Sequence, residues 1–204
     1  MEIAKLTRLD DLASEKLGEA LSEAFYNEPN FKFIISEDEH RHKALSWFFG
    51  SFVARLGLTY GKIYVPEDFS GGAIWIKPNR KVGFGGAVQA GLLKMPIHFG
   101  IKGVKRSMKL SSYIDKIREE YAPEVHWYLM ALGVDSTKQG KGTGSALLHP
   151  LLAKADKEGT DCYLETFSLR NIKFYEKFGF KVFSEFKIPN EDLKFWCMVR
   201  KPQQ

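Results

Sequence analysis

The chain has 204 residues, and 44% of them are hydrophobic, which is enough for a substantial core. Residues 1–204 are therefore expected to form one globular domain, and a charged fraction of 27% argues against disorder. The net charge of +5 permits an anionic partner but does not identify one, because solvated lysines give the same value. Cys162 and Cys197 lie in hydrophobic runs without metal-ligand spacing. We therefore expect a reducing compartment, no disulfide framework and no bound metal.

Neither a signal peptide nor a membrane span is expected. Residues 1–17 are charged and lack an apolar stretch. The most membrane-like segment, 84–100, is interrupted by Gln89, Lys94 and Pro96, so it is too short and too polar to span a bilayer. These features predict a soluble, cytoplasmic protein without a membrane partner.

Helices and short strands alternate in the N-terminal half. The predicted strands are 2–6, 59–65 and 72–77. A helix capped by Asp10 or Asp11 should end at the helix breakers of 27–30, and a second helix is predicted over 38–56. A glycine-rich loop and two helical segments come next. The second segment, 103–120, is basic, and we interpret its charges as a solvated face.

The C-terminal half begins with a strand rich in aromatic and branched residues, 125–134. The predicted helices that follow are 144–158 and 172–178. The other predicted strands are 161–167, 180–188 and 194–200. The last two strands are expected to pair in antiparallel fashion around Pro189 and Asn190. This order predicts a mixed α/β (α+β) layout in one domain.

A glycine-rich segment, QGKGTG over 139–144, joins strand 125–134 to helix 144–158. It is either a flexible turn or a cradle whose backbone amides bind a phosphate at the helix N-terminus. A P-loop is excluded because no glycine-lysine pair precedes Ser or Thr. A dinucleotide fingerprint keeps weak support from Glu165, which lies about twenty residues further on, although the glycine spacing and the late position differ.

Two motifs in this half resemble those of the GNAT superfamily of acyl-CoA-dependent N-acetyltransferases. QGKGTG fits the superfamily pattern [Q/R]-x-x-G-x-[G/A], which binds a pyrophosphate, and YEKFGF over 175–180 fits its tyrosine four residues before Gly-Phe. Residues 125–202, including HWYLMALGV, CYLET and FWCMVRKP, look like the branch that contains puromycin N-acetyltransferase. The resemblance implies a single GNAT domain with a mixed, mostly antiparallel sheet flanked by helices and splayed near Val134. The coenzyme-binding half would be 125–204.

This resemblance also implies a function. Members transfer an acetyl group from acetyl-CoA directly to an amine, so we expect a primary amine of a small molecule as acceptor. The alternative is a non-catalytic acyl-CoA-binding or sensing domain of the same fold. Nucleic-acid binding through 103–120 has no aromatic platform or recognition motif to support it, so no nucleic-acid partner is expected. A monomer or a homodimer is expected.

The resemblance carries over to individual residues of the coenzyme site. The diphosphate would be bound by the backbone amides of Gln139, Gly140, Lys141, Gly142, Thr143, Gly144 and Ser145. The main chain of Leu132, Gly133 and Val134 would pair with the pantetheine arm, and one of these amides would hold the thioester carbonyl. Tyr175 matches the general acid, since a phenol stays protonated at pH 7. Asn171 either contacts the coenzyme or caps the following helix.

Candidates for the base and the acceptor pocket are less constrained. Period-two alternation places His126, Tyr128 and Met130 on one face of strand 125–134. Tyr128 occupies the position where several superfamily members have a catalytic Glu or His, and His126 and Glu165 are the other candidates for the base. For all three, packing is at least as good an explanation, and solvent could take the proton from an amine of modest pKa without a dedicated base. Substrate-binding candidates are Tyr26 and Glu28, with Glu28 attracting an ammonium group; Phe25 and Trp47 are interpreted mainly as core.

Overall fold

The computed structural model describes residues 1–203. Eight α-helices are present in this range: α1 Asp11–Phe25, α2 Pro29–Ile34, α3 Asp38–Trp47, α4 Ala54–Tyr60, α5 Phe84–Ala90, α6 Met95–Tyr121, α7 Thr143–Glu158 and α8 Leu169–Glu176. Seven strands are present in the same range: β1 Ile3–Leu6, β2 Gly61–Pro66, β3 Gly71–Ile76, β4 His126–Val134, β5 Asp161–Thr166, β6 Lys181–Lys187 and β7 Lys194–Arg200. Short 3-10 turns precede α6 and follow β4.

All seven strands form one sheet in the order β1-β2-β3-β4-β5-β7-β6. Every neighbouring pair is antiparallel except β4 and β5, which run parallel in the centre. The predicted class, a mixed and mostly antiparallel sheet flanked by helices, is confirmed. The closing pair β6–β7 turns at Asn190, whose positive φ of 63° suits an asparagine in a tight turn.

The N-terminal helices differ from the prediction in two places. Residues 27–30 end α1, but Pro29 also begins α2, because proline is tolerated in the first helical turn. The helix predicted over 38–56 is continuous but changes type, with a π-helical stretch at Phe48–Val53 between α3 and α4. It also runs on to Tyr60, so β2 starts at Gly61, two residues later than predicted.

Helix α6 is longer than the predicted segment 103–120 and has a kink. Gly100 has φ of 66° and ψ of 168°, which interrupts the helix between Phe99 and Ile101. Only glycine adopts this conformation readily. The kink divides α6 into two segments, and the second ends at Tyr121, five residues before β4 begins.

The sheet separates two hydrophobic clusters. The first packs α1, the α3–α4 segment and α6 against one face, and Leu21, Leu45 and Leu110 are among its buried members. The second packs α7 and α8 against the other face and includes Leu148 and Leu151. β4 contributes to both clusters, so its side chains connect the two sides of the domain.

Candidate active site

The two central strands separate part-way along their length. Parallel pairing ends at Tyr128 and Tyr163, although β4 continues to Val134 and β5 to Thr166. The register of β4 against β3 also shifts by one residue at Met130, as in a β-bulge. Because a bulge bends its strand, the opening begins after Tyr128 and not near Val134 as the resemblance implies. Backbone groups of β4 beyond this point face a gap on the β5 side.

The bulge also changes which way the β4 side chains point. His126, Tyr128 and Met130 all line one cavity. Trp127 and Leu129 belong to the second hydrophobic cluster, whereas Tyr128 and Met130 pack against the first. Beyond the bulge, Ala131 joins the same cluster and Gly133 faces α1. A Cβ at Gly133 would come within 2.8 Å of the Ala24 Cβ, so glycine is needed for the close packing of α1 on β4.

The glycine segment after β4 is held in shape by side-chain hydrogen bonds. Gln139 Nε2 donates to the carbonyl oxygen of Val134 at 3.0 Å, and Asp135 Oδ1 accepts from the amide of Thr137 at 2.8 Å. Gly140 and Gly142 have φ of 79° and 83°, a region that side chains rarely adopt. A Cβ at either glycine would meet no atom of the described residues within 4 Å, so the loop surface is open.

Helix α7 begins directly at this loop. Its N-cap residue is Gly142, and no side chain in residues 1–203 caps its first turn. The unpaired amides and the positive end of the helix dipole therefore point to open space, which is the geometry of an anion site. Lys141 is exposed beside it, whereas Thr143 is buried and anchors the start of the helix. The segment Gln139–Ser145 is therefore a candidate anion site.

A cavity of about 830 Å³ reaches the gap between β4 and β5. Its lining is mainly apolar and comes from α1, the α3–α4 segment, α6 and β4. The phenylalanine members are Phe25, Phe31, Phe48, Phe49, Phe52 and Phe167. The polar members that matter below are Glu28, Asp115, Arg118, Tyr128, Glu165, Asn171 and Tyr175. Its size and apolar walls suit a small organic molecule.

Glu28, Asn171 and Tyr175 form one polar group in this cavity. Burial raises the pKa of Glu28, while the charge of Arg170 and a hydrogen bond from the Asn171 side chain partly lower it. Burial likewise raises the pKa of Tyr175, and the negative charge of Glu28 raises it further. The phenol therefore stays protonated, and a carboxylate lies close enough to influence it.

The position of Glu28 depends on the turn between α1 and α2. Its amide donates to the carbonyl of Phe25 at 3.0 Å, and its own carbonyl accepts from Phe31 at 3.1 Å. The segment after α2 is fixed by Arg41, which is 2% exposed and donates to the carbonyls of Ile35 at 2.7 Å and Ser36 at 3.2 Å. Arg41 Nη1 also donates to the carbonyl of Tyr26 before α2 at 3.5 Å, so Arg41 links the backbone on both sides of that helix.

Tyr26 is placed away from the cavity, against the prediction that it binds substrate. Its hydroxyl donates to the carbonyl of Asp38 at 3.3 Å, and the Arg41 guanidinium lies 5.0 Å from its ring centroid. These contacts hold the ring on the outer side of the α1–α2 turn. Phe25 does line the cavity, whereas Trp47 stacks on His98 with centroids 4.1 Å apart.

A second polar group surrounds Glu165 on β5. The Arg118 guanidinium reaches it from α6, with Nη1 3.5 Å from Glu165 Oε1, and lies 4.1 Å from the ring centroid of Tyr128. Asp115 forms an ion pair with the same guanidinium. Burial raises the pKa of Glu165 despite the opposing charge of Arg118. Its Oε1 has no hydrogen-bond partner among residues 1–203, so a donor on a bound molecule would satisfy it.

Arg118 is a site residue that sequence reasoning missed. The charges of segment 103–120 predict a solvated face, yet Arg118 is largely buried against Glu165 and Tyr128. The available signal was helical spacing. Ser107, Ser111, Ile114 and Arg118 recur at i, i+4, i+7 and i+11, and all four line the cavity.

The remaining candidates for the base are Tyr128 and His126. Burial raises the pKa of Tyr128 strongly, which makes its phenolate inaccessible near neutral pH. His126 Nδ1 donates to the carbonyl of Pro123 at 2.5 Å, which leaves Nε2 as a proton acceptor. Burial lowers the pKa of His126. It lies four residues before the bulge at Met130, a distance of roughly 13 Å along a strand.

Comparison with known proteins decides the family. The model of the acetyltransferase (GNAT) family matches residues 23–180. The chain belongs to the GNAT acetyltransferase family. This assignment accounts for the opening between β4 and β5 and for the glycine loop at α7, since GNAT enzymes use acetyl-CoA as co-substrate. The GNAT fold predicted from the sequence is confirmed.

Individual relatives agree with this assignment. An uncharacterized N-acetyltransferase of Schizosaccharomyces pombe is 25% identical over 201 residues, covering 93% of this chain and 80% of the relative. A solved Corynebacterium glutamicum structure, named as histone acetyltransferase HPA2 and related acetyltransferase, has a TM-score of 0.69 at 24% identity, covering 100% and 98% of the two chains. The polyamine N-acetyltransferase of Drosophila melanogaster has a TM-score of 0.59 at 14% identity, covering 98% and 100%. Both solved structures show the shared fold alone.

Two features of residues 1–203 concern metal binding and membrane crossing. In the part of the chain that the structure describes, no group of three or more His, Cys, Asp or Glu side chains is arranged to hold a metal ion. Among residues 1–203, no helix combines the length and the apolar character that a membrane crossing requires.

Proposed function

We propose that this GNAT protein transfers an acetyl group from acetyl-CoA directly to a primary amine of a small molecule. The observation that carries the proposal is that the Glu28 carboxylate and the Tyr175 phenol line one cavity, which opens onto the β4–β5 gap, and that the charge of Glu28 raises the pKa of the phenol. An ammonium group is attracted to the carboxylate, and the phenol supplies a proton donor for a leaving thiolate. A domain that only bound the coenzyme would not need this pair.

The residues around the gap fit acetyl-CoA. Backbone amides of Gln139–Ser145 would bind its diphosphate at the start of α7. The main chain of Leu132, Gly133 and Val134 would pair with the pantetheine arm, because these residues lie beyond the last β4–β5 pair. The bound thioester supplies the acetyl group, and an amide of the same stretch would hold its carbonyl oxygen. Asn171 lies against Glu28, so we assign it to positioning that carboxylate rather than to the coenzyme.

We assign the base to Glu28. Its raised pKa strengthens the carboxylate as a proton acceptor, and it lines the same cavity as the proposed acid Tyr175. Tyr128 is too weak a base, and Glu165 is paired with Arg118. His126 lies at the far end of the β4 stretch. Tyr128, Glu165 and His126 line the cavity, and we assign them to contacts with the acceptor. Tyr26 does not line the cavity.

The acceptor class follows from the cavity lining. Phenylalanine side chains dominate the walls, so an amine with a flat or extended apolar body fits best. Small amines are also the substrates named for the Drosophila enzyme, which forms N-acetylagmatine.

The motifs around QGKGTG favour the puromycin N-acetyltransferase-like branch. We further propose one domain over 1–204, with the coenzyme half at 125–204, acting in the cytoplasm as a monomer or homodimer without nucleic acid.

The decisive experiment measures thiol release from acetyl-CoA with a panel of amines, corrected for hydrolysis. The panel contains arylalkylamines, aminonucleosides, polyamines and peptide N-termini. We expect turnover with one or more small amines and none with peptides. Tight acetyl-CoA binding without acceptor-dependent thiol release from any amine would instead support the non-catalytic alternative and contradict the proposal.

A further inference from the structure

An exposed surface that is both apolar and basic lies on α5, the turn after it and the first half of α6. Its apolar members are Phe84, Leu93, Ile97 and Ile101, which are 76%, 72%, 79% and 72% exposed. These are the four most exposed large hydrophobic side chains in residues 1–203, and they fall within the single stretch 84–101. Monomeric soluble proteins rarely concentrate apolar groups in this way without a partner.

The burial pattern shows that these side chains point away from the core. On α6, Met95, Phe99 and Leu110 are buried in the first hydrophobic cluster. Ile101 and Lys105 are one helical turn apart and lie on the opposite, exposed side of the helix from Leu110. Both segments of the kinked helix therefore turn one side to the same core and the other side to solvent.

The charge distribution around this surface is one-sided. Residues 69–114 contain eight Lys or Arg and no Asp or Glu, whereas an even spread of the chain's 25 acidic residues would place five or six there. Lys94, Lys102 and Lys105 are exposed and form no ion pair among residues 1–203. Lys109, by contrast, is paired with Glu191 at 2.6 Å. Three unpaired ammonium groups thus lie within or just after the stretch that holds the exposed apolar side chains.

We infer that this surface docks on an anionic lipid membrane. Helices of this composition lie in the headgroup layer, where apolar side chains enter the acyl boundary and lysines meet lipid phosphates and carboxylates. The lack of a spanning segment predicts no membrane partner, but a helix that binds the membrane surface needs no such segment. Nucleic acid fits less well, because Ile97 and Ile101 would face a phosphate backbone. The inference does not depend on the acetyl-transfer reaction.

Helix α6 carries both the proposed lipid-binding residues and part of the cavity lining. Met108 lies on the same helix, is exposed, and also lines the acceptor cavity. Docking through α6 would therefore place the lipid surface beside an entrance to that cavity. The residues proposed to touch lipid, Ile97, Ile101, Lys102 and Lys105, do not belong to the cavity lining, so they can be changed without touching it.

Vesicle co-sedimentation of the full chain tests the inference. The probes are vesicles of phosphatidylcholine alone and vesicles with about one third phosphatidylserine. We expect binding to the anionic vesicles only, weakened by salt. The double variant Lys102→Glu/Lys105→Glu should reduce the binding constant at least about twentyfold, from roughly fivefold per lysine. Ile97→Ser/Ile101→Ser should reduce it at least about tenfold through lost apolar burial.

Matched controls come from the exposed edge strand β6. Val182 and Phe183 are 39% and 41% exposed, so Val182→Ser/Phe183→Ser removes apolar surface elsewhere. Lys181→Glu/Lys187→Glu changes the same total charge as the α6 lysine variant. Both controls should bind anionic vesicles like the unchanged protein, and thermal unfolding followed by circular dichroism should confirm that all four variants are folded.

Several results would overturn the inference. Equal binding to both vesicle types would show that anionic lipid is not recognised, and equal losses in the β6 controls would show that the α6 surface is not responsible. Absence of vesicle binding together with a dimer that Ile97→Ser/Ile101→Ser converts to monomer would make the surface a contact between two copies. Binding of duplex nucleic acid without vesicle binding would assign the lysines to a different partner.

Discussion

Replacement of Tyr175 by phenylalanine removes one hydroxyl and keeps the packing of the ring. The side chain is 8% exposed and makes edge contacts with Phe174 and Phe180, at centroid distances of 5.3 and 5.8 Å. Those contacts survive the substitution, so the free energy of unfolding should change by only about 1 kcal/mol. Proton donation to the thiolate is lost, which should lower kcat by roughly 10²–10⁴-fold.

Steady-state kinetics with the best amine of the panel measure this effect, with acetyl-CoA binding followed separately by calorimetry. Tyr163→Phe is the matched control, because Tyr163 is also buried and its pKa is also raised by burial. Its hydroxyl donates to Cys197 Sγ at 3.2 Å and it lies outside the cavity lining. The control should keep kcat. Unchanged turnover in Tyr175→Phe, or an equal loss in Tyr163→Phe, would remove Tyr175 from the proposed mechanism.

Three further substitutions test the remaining assignments. In the unchanged protein, kcat/KM should fall at acidic pH as Glu28 is protonated, at a pH above the ordinary carboxyl pKa. Glu28→Gln should abolish this acidic limb of the profile. An acidic limb that persists in the variant would argue for another base. Gly142→Ala should raise the KM for acetyl-CoA about tenfold, whereas Gly159→Ala, which introduces the same left-handed strain of about 1–2 kcal/mol, should not. Asp156→Asn should lower the free energy of unfolding by about 2–3 kcal/mol, because it leaves the buried Arg200 without its bidentate partner. The pKa of Asp156 is lowered in the folded state. The stabilisation by Asp156 is therefore complete above the unfolded pKa of 3.8 and is lost as the pH falls through the folded pKa. Urea titrations over this pH range should show that the difference in unfolding free energy between the two proteins disappears.

The coenzyme half could be predicted from the sequence because its geometry is local. QGKGTG is a continuous segment, and the apolar spacing of α7 places Leu147 and Leu151 in the core as expected. Strand β4 and the pair β6–β7 also lie where period-two patterns place them. The separation of β4 from β5 was implied only by the family, since nothing in the residues around Met130 announces a bulge.

The acceptor half was less predictable because its features depend on distant contacts. Tyrosine is a common binding residue, but the Tyr26 ring packs against Arg41, fifteen positions away, and does not line the cavity. Arg118 looked like one charge in a solvated run, and only its packing on Tyr128 reveals its role. The π-helical stretch at Phe48–Val53 has no recognised sequence signal, since it forms within a continuous helical pattern.

The coenzyme half and the acceptor half meet at β4. They recognise their ligands with different groups of the protein. The proposed coenzyme contacts are mostly backbone amides and carbonyls of β4 and the α7 loop, so most side-chain changes there leave them in place. The acceptor contacts are side chains from elements far apart in sequence, with Glu28 near α2 and Arg118 on α6. Helix α6 carries Arg118 on its cavity side and the exposed lysines on its outer side. A change in the position of α6 would therefore alter the acceptor cavity and the basic surface together, while the β4–β5 opening and the proposed transfer chemistry stayed the same.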